Sequence, residues 1–341
     1  MGEVNNDQGI LVSLCMSTSL RADLFPESFA GILKQTYSPL EIIVLADGSD
    51  PGSVKILEAC RDPRVRFITT PKSSGMVPAW NRVCREAKGK YMLFCADDDV
   101  LLENAIDQQI ELMEKYPSVV FCHADWTDID DDSKELNRHI FHRGRFIDPG
   151  LSAWPKYLIA TQCCMQTTVM RRSAWEQVGG WDEDAGHPGD NSLYLKLLRI
   201  GDVGHVPKIA CKYRVRTRIP DSWGKGFRDL RQYYALAMKH LSNPPAGIPV
   251  SLEVLRKRLM SYWARRAVSL GLYPPNQEDA CELRNWMAGH VWPESLTGQT
   301  CQALDKAGAL VLMEAANRVE YKLRQIVKPI VAIWYKTFTS I

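Results

Sequence analysis

Short apolar runs alternate with amphipathic stretches through the first part of the chain. The run "ILVSLCM" (10–16), bounded by the polar "STS", reads as a buried strand, and a helix is predicted after it. Pro26 suits that helix's first turn, and Phe29, Ile32 and Leu33 recur at helical spacing before "QTYSP" ends it. The pattern continues with a strand "EIIVLA" (41–46), a helix near 51–60, a strand "VRFITT" (65–70), a helix over 76–87 and a strand "YMLFCA" (91–96). Strands alternating with helices predict parallel pairing through right-handed crossovers, with ligands at the carboxyl ends of the strands. Polar residues fall at three of those ends: "STS" after the first strand, Asp47 after the second, and Asp97, Asp98 and Asp99 after the fourth.

Beyond residue 116 the pattern becomes mixed: a strand "SVVFCHAD", an acidic turn "DIDDDSKE", then segments punctuated by Pro, Gly and Trp. From about residue 226 it changes to long amphipathic stretches. In the clearest, 251–270, Leu255, Leu259, Trp263, Ala267 and Leu270 share one face. The expected organisation is an α/β domain over 1–225 followed by a helical region over 226–341, with no internal repeat.

Composition narrows the function classes. In 341 residues, 42 Lys and Arg against 40 Asp and Glu leave a net charge of +2, which gives no global field for nucleic acid or an anionic membrane. Ten cysteines form no C-x-x-C pair and mostly sit in apolar runs, as expected of reduced core thiols in a cytosolic protein. The polar start "MGEVNNDQG" has no apolar leader, and no stretch approaches the roughly 18 apolar residues of a membrane span. A cytoplasmic protein is expected.

Three adjacent carboxylates raise the question of a counter-cation. Hard divalent ions such as Mg2+ and Mn2+ are commonly held by one or two carboxylates together with water and substrate phosphate. On an extended backbone Asp97 and Asp99 face one way and Asp98 the other, so they are not equivalent ligands. The competing local reading is a helix start, because Asp99 precedes "VLLENAI". Asp47, in "VLADGSDPGS", and Asp190, just before the apolar helical pattern of "GDNSLYLKLLRIG", admit the same kind of local reading, as a turn former and a helix cap. Their functional reading is different: a partly desolvated carboxylate near other carboxylates has a raised pKa and can take a proton from a hydroxyl.

Taken in order, these segments resemble the family 2 glycosyltransferases, whose catalytic domain has the GT-A fold, over about residues 9–216. "LKQTYSPLEIIVLADGSD", "SSGMVPAWNRVCREAKGKYMLFCADDD", "TTVMRRSAWEQVGGWDE" and "GDNSLYLKLLRIG" carry the resemblance. It implies a nucleotide-sugar donor, with UDP as the default nucleotide, a divalent Mn2+ or Mg2+ cofactor, and an inverting single displacement onto a glycan or lipid-linked acceptor. By position, Ser17, Thr18, Ser19 and Asp47 would line the nucleoside pocket and Asp97 would face the ribose or sugar. Asp98, with Asp99 next, would ligate the metal, and Asp190 would be the general base. Arg214, Arg216 or Arg218, in the basic run "YRVRTRIPDSWGKGFRDLR", would clamp the diphosphate or lie on a solvated loop and helix face, and Trp181 or Trp223 would stack on a sugar ring or lie in the core. The chain departs from the family pattern at Ser19 for the usual Tyr, Ala46 and Ala96 for usual aspartates, and Gly189 for the usual acidic residue.

The tail "YKLRQIVKPIVAIWYKTFTSI" (321–341) reads as a peripheral membrane contact, a homo-oligomer contact or a docking segment. Two other functions fit parts of the pattern. A sugar nucleotidyltransferase shares the alternation and the carboxylates, but "SLCMSTSLRADL" lacks that class's Gly-rich phosphate loop. A non-catalytic glycan- or nucleotide-binding protein on the same fold is consistent with Ala46, Ala96 and Gly189.

Overall fold

The protein was described from a computed structural model, which describes residues 9–19, 21–48, 50–141, 144–216, 222–271 and 277–290. Its contacts define two compact units, Met1–Ile219 with Asn243–Pro249, and Pro220–Ser242 with Val250–Ile341.

The first unit opens with the predicted alternation: β1 (Val12–Thr18), α1 (Phe25–Leu33), β2 (Leu40–Asp47), α2 (Pro51–Ala59), β3 (Val65–Thr70), α3 (Met76–Arg85) and β4 (Tyr91–Cys95). Pro26 lies in the first turn of α1, and Asp50 caps α2 by accepting from the backbone N–H groups of Gly52 and Ser53. The continuation is β5 (Val100–Leu101), α4 (Asp107–Lys115), β6 (Val119–Ile129), β7 (Glu135–His139), β8 (Phe146–Asp148), α5 (Gly150–Ile159), β9 (Val169–Arg171), α6 (Arg172–Gln177), α7 (Gly189–Leu197) and β10 (Asp202–Arg214). The acidic turn predicted over 128–135 joins β6 to β7, closed by a 3.0 Å bond from the Asp130 N–H to the Lys134 carbonyl.

One sheet runs β3-β2-β1-β4-β9-β6-β10-β5, with β7 on the outside of β6 and β8 on β10. The pairings β3·β2, β2·β1 and β1·β4 are parallel, so the ends of β1, β2 and β4 reach the same edge of the sheet. β9 is antiparallel to both β4 and β6, and β10 returns parallel to β6. The fold is therefore α/β with a mostly parallel first half and a mixed second half. Its core is made of strand residues such as Val12, Leu14, Ile42, Val44 and Leu93, packed against Phe25, Phe29 and Ile32 of α1 and Ile110 and Met113 of α4. Such burial of branched and aromatic side chains, at about 25 cal/mol per Å2 of apolar surface, is the main force holding the layers together. The eight cysteines whose side chains are described are free, and all but Cys60 are buried.

The second unit contains α8 (Ser222–Leu241), α9 (Leu252–Gly271) and α10 (Gln277–His290). Leu255, Leu259 and Trp263 of the predicted apolar face are buried, while the side chains of Ala267 and Leu270 lie outside the described residues. Trp263 meets Tyr233 at 6.2 Å, and Trp286 meets Tyr234 edge-on at 5.3 Å. Among the described residues no helix is long and apolar enough to cross a membrane. Arg218, the tail 321–341 and the side chain of Trp223 lie outside the described residues.

Candidate active site

The parallel strands deliver the predicted polar groups to one rim. Ser17 and Thr18 end β1, with Thr18 buried and its Oγ1 3.4 Å from Ser53 Oγ. The Ser19 N–H donates to Asp97 Oδ2 at 3.3 Å, tying the segment after β1 to the segment after β4. Asp47 ends β2 and is buried. Its carboxylate accepts from Thr70 Oγ1 (2.9 Å), Ser73 Oγ (2.7 Å), the Ser74 N–H (2.8 Å) and Ser74 Oγ (3.1 Å). Burial alone would raise its pKa, but these donors hold the carboxyl below the usual aspartate range. Asp47 thus organises the loop between β3 and α3. Gly48 follows with φ +87°, and a Cβ there would come within 3.2 Å of the Ser73 N. Only glycine combines that backbone with that approach.

The three aspartates after β4 are not equivalent, as strand geometry predicts, but the division differs from expectation. Asp98 is the most exposed carboxylate of the Asp97–Asp98 pair, and its Oδ2 is hydrogen-bonded by Arg21 Nη1. The same nitrogen lies 3.4 Å from Asp97 Oδ1. Burial pushes the Asp97 carboxyl up to about 6; the Arg21 charge opposes that rise and Asp98 adds to it. Asp99 points inward: it is buried, and its Oδ1 accepts the Arg214 N–H at 2.6 Å. Burial, reinforced by the Asp98 charge, raises its pKa. The expected role of Asp99 as a second metal ligand therefore does not match its orientation, because its carboxylate closes β10 onto the aspartate turn.

Arg214 departs from expectation in the same way. Its side chain has no exposed surface. Nε donates to the Asp98 carbonyl (2.8 Å), Nη1 to the Asp130 carbonyl (2.8 Å) and Ser133 Oγ (3.1 Å), and Nη2 to Glu27 Oε2 (2.6 Å) and Ser133 Oγ (3.1 Å). A guanidinium with every nitrogen committed is a brace between α1, the β6–β7 turn and the aspartates, not a free clamp for a diphosphate. Arg216 is exposed, with Nε 2.9 Å from Asp131 Oδ1.

Asp190 lies in the first turn of α7, and its Oδ1 accepts the Asn191 N–H at 2.7 Å. Burial raises its pKa, against the opposing influence of that N–H and of His187. α7 is fixed by Asp182, which accepts from Ser192 Oγ (2.6 Å) and Lys196 Nζ (2.7 Å). Asn81 of α3 grips the preceding loop with both ends of its amide: Nδ2 donates to the Trp181 carbonyl and Oδ1 accepts the Trp181 N–H, each at 2.9 Å. Trp181 is a core residue, 2% exposed and packed on Trp80, Phe94 and Trp175, so it offers no face for a sugar. Gly189 has a local reason as well. A Cβ there would meet Val77 Cγ2 at 3.0 Å and Trp80 at 3.4 Å, so any larger side chain would press on α3.

Two residues at the site were not singled out from sequence. Arg21, two residues beyond the "STS" segment, is the resident cation of the aspartate pair. Tyr213 presents a partly exposed ring, and burial followed by the charges of Asp99, Cys164, Asp190 and Asp98 raises its hydroxyl pKa. Residues about 90 positions apart in sequence thus surround one tyrosine. The signals were a cation facing an acidic triplet, and an aromatic next to a buried arginine at a strand end. Among the described residues no group of three or more His, Cys, Asp or Glu side chains is placed to hold a metal ion. The Asp97–Asp98 pair supplies hard oxygen ligands already facing a positive group, which fits a divalent ion that takes its remaining ligands from water and phosphate.

An α/β sheet whose strand ends gather carboxylates in this way defines a GT-A type domain. S. aureus TarS 1–349, solved in complex with UDP-GlcNAc, superimposes with a TM-score of 0.64 over 91% of this chain and 92% of that one, at 13% identity. Residues 13–179 match the model described as glycosyl transferase family 2, so the chain carries a domain of that family. A chondroitin synthase of Escherichia coli is 30% identical over 189 residues, which are 54% of this chain and 26% of that protein. The UDP-Glc:alpha-D-GlcNAc-diphosphoundecaprenol beta-1,3-glucosyltransferase WfgD of Escherichia coli is 25% identical over 241 residues, 70% of this chain and 89% of that one. The chain thus spans about a quarter of the chondroitin synthase and most of WfgD.

Proposed function

We propose that the protein is an inverting glycosyltransferase that moves a sugar from a nucleotide-sugar, by preference a UDP-sugar, to a hydroxyl of a glycan or lipid-linked saccharide in glycoconjugate biosynthesis. The observation that carries the proposal is that Asp98, paired with Asp97 through Arg21, and Asp190 both act electrostatically on Tyr213. The family 2 domain, and relatives named for UDP-Glc and bound to UDP-GlcNAc, support the donor class.

In this reading the nucleoside lies along Ser17, Thr18 and Ser19, beside the loop that Asp47 holds. Asp97 and Asp98 would hold Mn2+ or Mg2+, which when bound supplies positive charge to the departing diphosphate. Asp99 and Arg214 keep those carboxylates in place. Asp190 takes the proton of the acceptor hydroxyl as its oxygen bonds to the anomeric carbon; the bond from that carbon to the diphosphate oxygen breaks, and the electron pair leaves with the diphosphate. Attack from the opposite face inverts the anomeric configuration. The raised pKa of Asp190 suits it to that proton transfer, because a base closer in pKa to the operating pH is a better acceptor. Arg216, two residues beyond β10 and paired with Asp131, would approach the diphosphate from the loop side.

Incubation with Mn2+ and a panel of nucleotide-sugars, alone and with saccharide acceptors, tests the reading. Nucleoside diphosphate is expected to be released from at least one donor and to disappear in Asp190→Asn and Asp98→Ala. A native protein that neither binds nor turns over any donor refutes it.

A further inference from the structure

Two arginines reach Asp98, and they do so differently. Arg214 is fully buried and holds the Asp98 backbone carbonyl through Nε, with its other nitrogens anchored to α1 and the β6–β7 turn. Arg21 holds the Asp98 carboxylate itself, the atoms a metal would need, and the same nitrogen is 3.4 Å from Asp97. Its side chain is 41% exposed, and the contacts described for it are with these aspartates. One cation braces the backbone; the other sits on the ligand atoms.

We propose that Arg21 is an exchangeable counter-cation: it neutralises the Asp97–Asp98 pair while the donor site is empty, and a divalent metal entering with the nucleotide displaces it. This rests on the donor-site reading above. Neighbouring carboxylates repel and resist joint ionisation unless a cation accompanies them, so a resident guanidinium keeps the pair charged and in place without metal. The carboxylate oxygens cannot serve guanidinium and metal equally, however, so Arg21 opposes metal binding in the empty site. The arriving diphosphate changes the balance. It adds oxygen ligands for the metal and offers the released guanidinium a planar, bidentate partner. Metal and nucleotide therefore bind with positive coupling, and Arg21 adds to the part that the diphosphate oxygens supply directly.

The test measures Mn2+ binding to the full chain without donor, from the electron paramagnetic resonance signal of free Mn2+, for wild type, Arg21→Gln, Arg21→Lys and Asp98→Asn. Arg21→Gln is expected to bind Mn2+ more tightly than wild type, by roughly tenfold on the scale of site-to-site coupling. Arg21→Lys should stay near wild type, since its ammonium still competes, and Asp98→Asn should lose Mn2+ binding. Added UDP should tighten Mn2+ binding in both proteins, through its own oxygen ligands, and by a larger factor in wild type than in Arg21→Gln. Equal or weaker Mn2+ binding by Arg21→Gln, with a wild-type melting transition, overturns the proposal. So does Arg21→Lys binding as tightly as Arg21→Gln, or Asp98→Asn binding as well as wild type. Diphosphate release by wild type is read separately: tighter Mn2+ binding by Arg21→Gln in a protein that turns over no donor upholds the exchange and removes the transferase reading. Turnover by wild type with unaltered Mn2+ binding in Arg21→Gln removes the exchange alone.

Discussion

Replacing Arg214 with Met separates a structural brace from a substrate clamp, because the two roles predict opposite readouts. Met keeps much of the buried side-chain volume but removes every donor. The bonds to the Asp98 and Asp130 carbonyls come from a charged group and are worth about 1.5–3 kcal/mol each, a gross loss of about 3–6 kcal/mol. Two features reduce it. The Asp130 carbonyl keeps the Ser133 N–H at 3.1 Å, and Glu27, whose side chain is 46% exposed, can be hydrated, so its ion pair adds little. Removing one partner from a buried charged network typically costs about 3–5 kcal/mol, and about 3 kcal/mol is expected here. Urea unfolding should show a lower midpoint at an unchanged slope. UDP affinity, measured where the variant is still folded, should fall only as far as the Asp98 carbonyl has moved. A variant with the wild-type midpoint and no UDP binding would refute the reasoning and return Arg214 to the diphosphate.

Asp190→Asn should keep UDP binding, seen as a ligand-induced rise in melting temperature, while losing about 10²–10⁴-fold in transfer rate; an equal loss of both would remove the base assignment. The base acts deprotonated and burial raises its folded pKa, so transfer should fall as pH drops through a value above the ordinary aspartate pKa; an acid limb at the ordinary value contradicts this. Asp47 has the opposite sign. Its depressed pKa contributes stability above the unfolded pKa that is lost as pH falls through the folded one, so Asp47→Asn should flatten the acid limb of a melting-temperature profile. Gly180→Ala should destabilise the fold by about 2–4 kcal/mol in urea titration, because φ is +70° and the new Cβ would lie 2.5 Å from Asn81 Oδ1; a neutral result excludes the Asn81 clamp.

Much of the first half was legible because parallel strands buried on both faces leave continuous apolar runs, and the runs for β2 and β4 coincide with the elements to within a residue or two. β5, β7, β8 and β9 were not legible. β9 is three residues long and exists because β4 and β6 flank it, which no local period encodes. At the site, strand ends located the carboxylates, but sequence could not tell which partners fold against each. Asp99 and Arg214 carry the right charges for ligand binding and spend them on each other's segments. Arg21 was overlooked because a lone cation in a polar loop has no periodicity; only the pairing across β1 and β4 brings it to Asp98. Trp181 shows the converse, since its place in the core follows from the Asn81 clamp.

Helix α3 acts as a ruler. The loop leading into it satisfies Asp47, its Asn81 grips the Trp181 loop, and Val77 and Trp80 limit the residue beside Asp190. Five residue steps from Met76 to Asn81, at about 1.5 Å each, set a rise of about 7.5 Å between the loop that satisfies Asp47 and the clamp on Trp181. A one-residue insertion turns one end by about 100° relative to the other and displaces both together. Drift in this helix is therefore confined to substitutions that preserve its length, and changes of substrate must come through the loops it spans.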